Sequence, residues 1–291
     1  MEYPHLPVLL HEVIEALKPR PDGIYVDATV GPGGHSEHLL KDIGSGGRLI
    51  GIDRDESALE IAEKRLSDKR IILRRGSFSD MESLLHTDGI SAVDGILFDL
   101  GVSMLQFRDL ERGFSFASDE RLDMRMDNRQ KLSAWHVVNT YSEKELNRIL
   151  WEYGEERLSH KIAAAILRSR NKKTIDTCSA LVDIVENVYG GRGRLHPATK
   201  TFQALRIEVN KELEQLSLGL EAAQRLLKQG GRLCVISYHS LEDRIAKRFI
   251  ADSSKRGILK IITKKPLTAS PEELRVNPSS RSAKLRAAEK I

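Results

Sequence analysis

Leu10, Val13, Ile14 and Leu17 recur at helical spacing, and residues 8–17 are predicted to form a short helix that Pro19 and Pro21 end. Beyond it, short apolar runs alternate with helical stretches. Residues 24–30 read as a first strand, closed by Gly31-Pro32-Gly33-Gly34, with a helix from about Ser36 to Lys41. Residues 48–53 form the second strand, and the helix over 55–66 turns Leu59, Ala62 and Leu66 inward. Residues 71–74 and 93–100 supply the third and fourth strands. Strands separated by helical segments pair in parallel within an α/β sheet.

The alternation stops near residue 105. Ser142-Glu143-Lys144-Glu145 is a capping box ahead of Leu146, Ile149 and Leu150, and helices are predicted over 158–169 and 180–189. A helical insertion over 105–212, interrupting an α/β domain made of 1–104 and 213–291, accounts for this pattern. A long helix then runs to Gly230-Gly231, read as its C-terminal signal. Strands follow over 232–237, 258–263 and 282–289, with a helix over 241–250. Seven strands with a late pair fit the sheet of class I methyltransferases, a Rossmann-like architecture, better than a six-stranded dinucleotide fold.

Composition adds little to this picture, and charge distribution adds more. The chain has 291 residues and net charge +4. Residues 255–291 hold ten Lys/Arg against three Glu, a local +7, which leaves about −3 on the remainder. Such a tail suits phosphate contacts or a solvated surface equally. Cys178 and Cys234 stand apart with no metal-type spacing, as expected of a reducing compartment. The chain opens without a basic and apolar leader and holds no run of 18 apolar residues, so a soluble cytoplasmic protein with no membrane partner is expected.

The candidate chemistry falls after the predicted strands. A glycine turn leaving a parallel strand lets a ligand approach the backbone, and the next helix offers free N–H groups. Here the third glycine of a dinucleotide fingerprint is replaced by Ser36. Asp53 lies 22 residues after Gly31 at the end of the second strand, where a carboxylate accepts ribose hydroxyls; Asp55 is left to cap the next helix. Phe78, just after the third strand, stands either beside an adenine or in the core. Asp99, in Asp99-Leu100-Gly101-Val102-Ser103, falls outside the fourth strand, where a reacting group is met.

Further along, Glu111-Arg112-Gly113-Phe114-Ser115-Phe116 and Leu122-Asp123-Met124-Arg125-Met126 either line a groove or pack the insertion. Lys200 and Arg206 are placed to reach phosphates or solvent. Tyr238 and His239 follow the fifth strand, with Ser240 and Asp243 resembling a helix cap. His35 and His38 lack a third ligand, so no metal is expected.

These motifs, in this order, resemble the ribosomal RNA small-subunit methyltransferase H family, also called MraW. The likeness runs from His5-Leu6-Pro7-Val8 to Asn277-Pro278-Ser279-Ser280 and includes Gly33-Gly34-His35-Ser36, His196-Pro197-Ala198-Thr199 and His239-Ser240-Leu241-Glu242. The resemblance implies an enzyme that uses S-adenosylmethionine to methylate the exocyclic N4 of a cytosine in the decoding region of 16S ribosomal RNA, within the small subunit. It implies cofactor contacts at Gly33, Gly34, His35, Asp53, Phe78, Asp99 and Gln106. Asp99 is then the candidate for orienting the amine, with Ser103, Arg112, Phe114, Tyr238 and His239 as substrate contacts. A homodimer is left open.

Many amino-methyltransferases carry an acidic or amide residue, two prolines and an aromatic at the Asp99 position. Here both prolines and the aromatic are missing, so Phe114, Phe116 or Tyr238 is the expected substitute ring. Two other readings share some of these features. A nicotinamide-dependent oxidoreductase shares the glycine turn and Asp53, and an RNA-binding assembly factor could retain the fold without catalysis.

Overall fold

The computed structural model describes residues 6–101, 110–116, 119–191 and 196–291. It divides into two compact units, residues 1–101 with 213–291, and residues 102–212.

The first unit is built on a seven-stranded sheet in the order β3-β2-β1-β4-β5-β7-β6. Its strands are β1 (Ile24–Asp27), β2 (Arg48–Asp53), β3 (Ile71–Arg75), β4 (Val93–Asp99), β5 (Leu227–Ser237), β6 (Leu259–Ile261) and β7 (Lys284–Lys290). β1 to β5 run parallel, and β7 is antiparallel to both β5 and β6. This is the class I methyltransferase sheet expected from the strand count. The helices are α1 (Leu10–Leu17), α2 (Gly34–Asp42), α3 (Glu56–Arg65) and α4 (Met81–Thr87), then α10 (Glu212–Leu226), α11 (Ser240–Lys255) and α12 (Pro271–Val276).

Side chains alternate across each strand, so one sequence run feeds two cores. Tyr25, Leu49, Leu97, Cys234, Ile236, Leu285 and Ala287 pack with α1, α2 and α3. Val26, Ile50, Ile52, Ile96, Phe98, Leu233 and Val235 pack with α4, α10 and α11. Burial on both faces explains why the strands read as near-continuous apolar runs. Strand order reverses between β1 and β4, and ligands bind open α/β sheets at such a switch point, outside the strand carboxyl ends.

The second unit contains α5 (Ala134–Thr140), α6 (Glu143–Glu152), α7 (Ser159–Arg170), α8 (Cys178–Tyr189) and α9 (Thr199–Asn210). The Ser142–Glu145 capping box forms as predicted. The irregular run before α5 is not an exposed groove. Phe114, Leu122, Met124 and Met126 are buried in this unit's own core. Asn210 clamps the run, its Nδ2 donating to the Met124 carbonyl and its Oδ1 accepting from the Met126 N–H, both at 2.8 Å.

Two boundary readings change. The long helix ends at Leu226, and Gly230-Gly231 lies inside β5. There β4 and β5 shift register between Val93 and Gly95, and Gly230 takes φ +74° to absorb the extra residues. The cap of α11 is His239, not Ser240, in a reciprocal box with Glu242. Among the described residues, no helix is long and apolar enough to cross a membrane.

Candidate active site at the strand ends

The glycine turn joins β1 to α2 and is tied to the end of β2. The Gly31 N–H donates to Asp53 Oδ2 and the Asp55 N–H to Asp53 Oδ1, each at 2.9 Å. Asp55 caps α3, as the spacing predicts, by accepting from the Ser57 N–H. Two glycines are required for different reasons. Gly31, at φ +50°, would carry a Cβ into space where the nearest atom, the Thr29 carbonyl oxygen, is 3.9 Å away. Gly33, at φ +86°, would place its Cβ 2.6 Å from Leu66 Cδ1. One glycine therefore leaves room before the turn, and the other lets the turn close on α3. Gly34 opens α2, whose first N–H groups have no acceptor within the helix.

His35 and Ser36 follow on the buried side of α2. Ser36, where a third glycine would stand, donates its hydroxyl to Asp27 Oδ2 at 2.7 Å. Asp27 also accepts from the Thr29 N–H at 3.3 Å. His35 donates from Nε2 to the Val8 carbonyl at 2.9 Å, and its Nδ1 lies 3.6 Å from Asp99 Oδ2. The other oxygen, Asp99 Oδ1, accepts the Tyr238 hydroxyl at 2.8 Å. The Asp99 N–H donates to Thr29 Oγ1 at 2.6 Å, fixing the end of β4 against β1. Gly101, at φ +107°, leaves room for the Tyr238 ring, which would meet a Cβ there at 3.2 Å.

Burial dominates the electrostatics of this cluster. It pushes the Asp99 carboxyl up to about 7, against the Tyr238 hydrogen bond and with help from the Glu242 charge. Burial likewise raises Asp27 to about 6, against the His35 charge and the Ser36 hydroxyl. It lowers His35 below the ordinary imidazole value. Tyr238 is held well above the phenol range by burial and by Asp99. Asp53 is raised by burial, against the two backbone N–H groups it accepts. Burial thus shifts the acids upward and the imidazole downward side by side at the switch point.

Gly33, Gly34, His35, Asp53, Asp99 and Tyr238 therefore converge on the ends of β1, β2, β4 and β5. Phe78 stands after β3, half-buried, edge-on to Phe98 at 5.5 Å and 5.6 Å from the Arg54 guanidinium. His239 follows Tyr238 as the α11 cap, its Nδ1 accepting from the Glu242 N–H and its Nε2 lying 3.1 Å from Glu242 Oε1. Ser103 and Gln106 lie outside the described residues. Arg112 and Phe114 belong to the second unit. There Arg112 donates to the carbonyls of Arg125 and Met126, and Phe114 is a core residue beneath it. Phe116 stacks on His196 at 4.3 Å. Arg206 pairs with Glu212, and Lys200 donates to the Glu155 carbonyl.

Asp27 and Thr29 stand in the sequence only as the lead into the glycine turn, and Val8 only as the start of the first helix, with no role of their own. An acid ending a buried strand just before a glycine turn is a signal that could have drawn attention to Asp27. No sequence pattern points to a backbone carbonyl.

A family model described as the MraW methylase family matches residues 2–291. The chain is 51% identical to the ribosomal RNA small subunit methyltransferase H of Persephonella marina, over 99% of both chains. It is 49% identical to the protein of the same name from Caldicellulosiruptor saccharolyticus, covering 99% of this chain and 100% of the relative. Among solved structures it is similar to an rRNA methylase from Streptococcus thermophilus, at 12% identity and TM-score 0.46, over 97% and 93% of the two chains. With a match along nearly its whole length and half its positions shared with such relatives, the chain belongs to the MraW methylase family.

Proposed function

We propose that this chain methylates the exocyclic N4 of a cytosine in small-subunit ribosomal RNA, with S-adenosylmethionine as methyl donor. The observation that carries the reading is Asp99. It is a carboxylate at the switch point, held at one oxygen by Tyr238 and standing beside the glycine turn and Asp53. The family match supplies the reaction class and the cofactor.

The donor set fits that cofactor. Asp53, with one backbone N–H on each oxygen, keeps lone pairs for two ribose hydroxyls. The open side of Gly31 admits a ligand against the backbone, and the first turn of α2 offers N–H groups to a carboxylate. Phe78 stands at the end of β3, the position beside an adenine. When bound, the cofactor supplies an electrophilic methyl group on a cationic sulfur.

The cytosine amine is a weak nucleophile because its lone pair is delocalised into the ring. Asp99 accepts one N4–H hydrogen, which orients the amine and lets the nitrogen pyramidalise. Tyr238 holds the carboxylate in place for that contact. Fixing such a geometry contributes up to about 7–11 kcal/mol in favourable cases. The target base must leave its stack to be reached. The unit over 105–212 is assigned to recognising RNA, with the assembled small subunit as the substrate form.

The test uses labelled cofactor with small subunits from cells lacking this activity. Label is expected on one cytosine N4, and Asp99→Ala is expected to cut single-turnover rate at least about 100-fold while the melting temperature holds. Label on a ring carbon, or wild-type turnover by Asp99→Ala, overturns the assignment. Calorimetry with S-adenosylmethionine against NAD separates the oxidoreductase alternative.

A further inference from the structure

We propose that α7 of the second unit grips the phosphate backbone of RNA with a row of four cations, Arg157, Lys161, Arg168 and Lys172. The proposal rests on the reading of the substrate given above and adds the residues by which the helical unit holds it. α7 buries Ile162, Ala163 and Ile166 in its unit's own core and leaves the opposite face open. Lys161 and Arg168 lie on that open face, two turns apart, with the small Ala164 between them. Asn171 keeps helical angles, φ −66° and ψ −20°, so Lys172 extends the same face one turn beyond Arg168. Arg157 stands one turn before Lys161, in the turn that leads into the helix. All four are exposed. At the helical rise per residue, the row from Lys161 to Lys172 is about 16 Å long.

Three observations single out this row. None of the four side chains has a hydrogen-bond or ion-pair partner among the described residues. Other cations of the unit are held: Arg125 and Arg129 by Asp123 and Asp127, Arg206 by Glu212, and Arg170 by the Val138 carbonyl at 2.7 Å. Acids on neighbouring segments are engaged elsewhere, Glu143 lying 3.6 Å from His160 Nδ1 and Asp176 accepting from Trp135 Nε1 at 2.8 Å. The second observation is where the charges sit. A helix favours cations at its C-terminus and disfavours them at its N-terminus. That accounts for Arg168 and Lys172 but not for Arg157 and Lys161, and the first turn holds no acid to offset them. Their charge opposes the helix and answers to something outside it. The third is the lack of an apolar anchor. Among the described residues, the exposed large apolar side chains of this unit are Trp151 and Tyr189, neither of them on α7. Protein interfaces centre on apolar and aromatic anchors, and membrane-surface helices need an apolar face to insert. A line of unpaired cations with neither suits a polyanionic backbone, held by charge without regard to sequence.

The test is equilibrium binding to a 16S ribosomal RNA transcript across a salt series. Gln removes the charge and keeps helix propensity. Arg157→Gln with Lys161→Gln, and Arg168→Gln with Lys172→Gln, are each expected to flatten the log–log slope by about 1.5, and all four together by about 3. The first pair is expected to melt no lower than wild type, because it clears cations from the positive end of the helix. An unaltered slope overturns the proposal. In the wild-type protein, reductive methylation of lysine amines is expected to spare Lys161 and Lys172 while the transcript is bound. Equal labelling with and without RNA overturns the proposal, whatever the variants do. Variants that lose assembled small subunits but bind the transcript as wild type assign the row to a ribosomal protein and overturn it too. A wild-type protein that methylates no cytosine overturns the parent reading alone, since binding and labelling are read without methyl transfer.

Discussion

Asp99 carries a cost that can be measured apart from catalysis. Its carboxyl is raised from 3.8 to about 7. Between those values the unfolded chain has lost the proton and the folded chain keeps it, so the stability this group contributes falls as pH rises across the window. Asp99→Asn is therefore expected to melt a few degrees above wild type at pH 8 and level with it at pH 4, by calorimetry. An equal shift at both pH values would remove the titration argument. On the proposed reading, in which Asp99 accepts an N4–H as a carboxylate, methyl transfer is expected to decline as pH drops through about 7. The placement of Asp53, Gly33 and Asp99 at the strand ends was legible because acids and glycines that follow apolar strands have few places to go. The His35 to Val8 contact was not, since it joins a side chain to a backbone atom 27 residues away.

At the scale of elements, the glycine turn is the most constrained. Gly33→Ala would force an L-residue to φ +86° and drive a methyl onto Leu66. A loss of about 1–2 kcal/mol from the backbone alone is expected, with weaker cofactor binding, by denaturant melts and calorimetry. Unchanged stability would mean that the turn relaxes freely. The same scale shows what pattern reading resolves. The longer helices α6, α7, α8 and α11 emerged because they span two or more turns with an apolar stripe, and the strands because they are short, near-continuous apolar runs. α4 and α5 have seven residues each and α12 has six, too short to display a period. Gly230-Gly231 misled because glycine serves a helix end and a strand irregularity equally well.

Across the whole molecule, charge is segregated as the sequence indicated. Lys260, Lys264, Lys265, Arg275 and Arg281 are exposed in the first unit. Lys284 and Arg286, on β7, instead pair with Asp243 on α11. The exposed set suits the RNA backbone. Affinity for ribosomal RNA should fall steeply with salt, and replacing both Lys264 and Lys265 by Ala should flatten the log–log slope by about 1.5. An unaltered slope would place the phosphate contacts elsewhere.

β7 enters the sheet between β5 and β6, and nearby the Leu9 N–H donates to Glu273 Oε1 at 2.8 Å and Asn277 Nδ2 donates to the Leu6 carbonyl at 3.1 Å. The stretch over 273–290 thus covers the outer edge of β5 and clasps the stretch around Leu6 and Leu9. A nascent chain halted before residue 270 has neither the clasp that steadies Val8 nor a neighbour for the outer edge of β5. The Val8 carbonyl that accepts from His35 is thus steadied through Glu273 and Asn277, so cutting the chain at residue 270 is expected to unseat the buried imidazole beside Asp99 as well as the sheet edge.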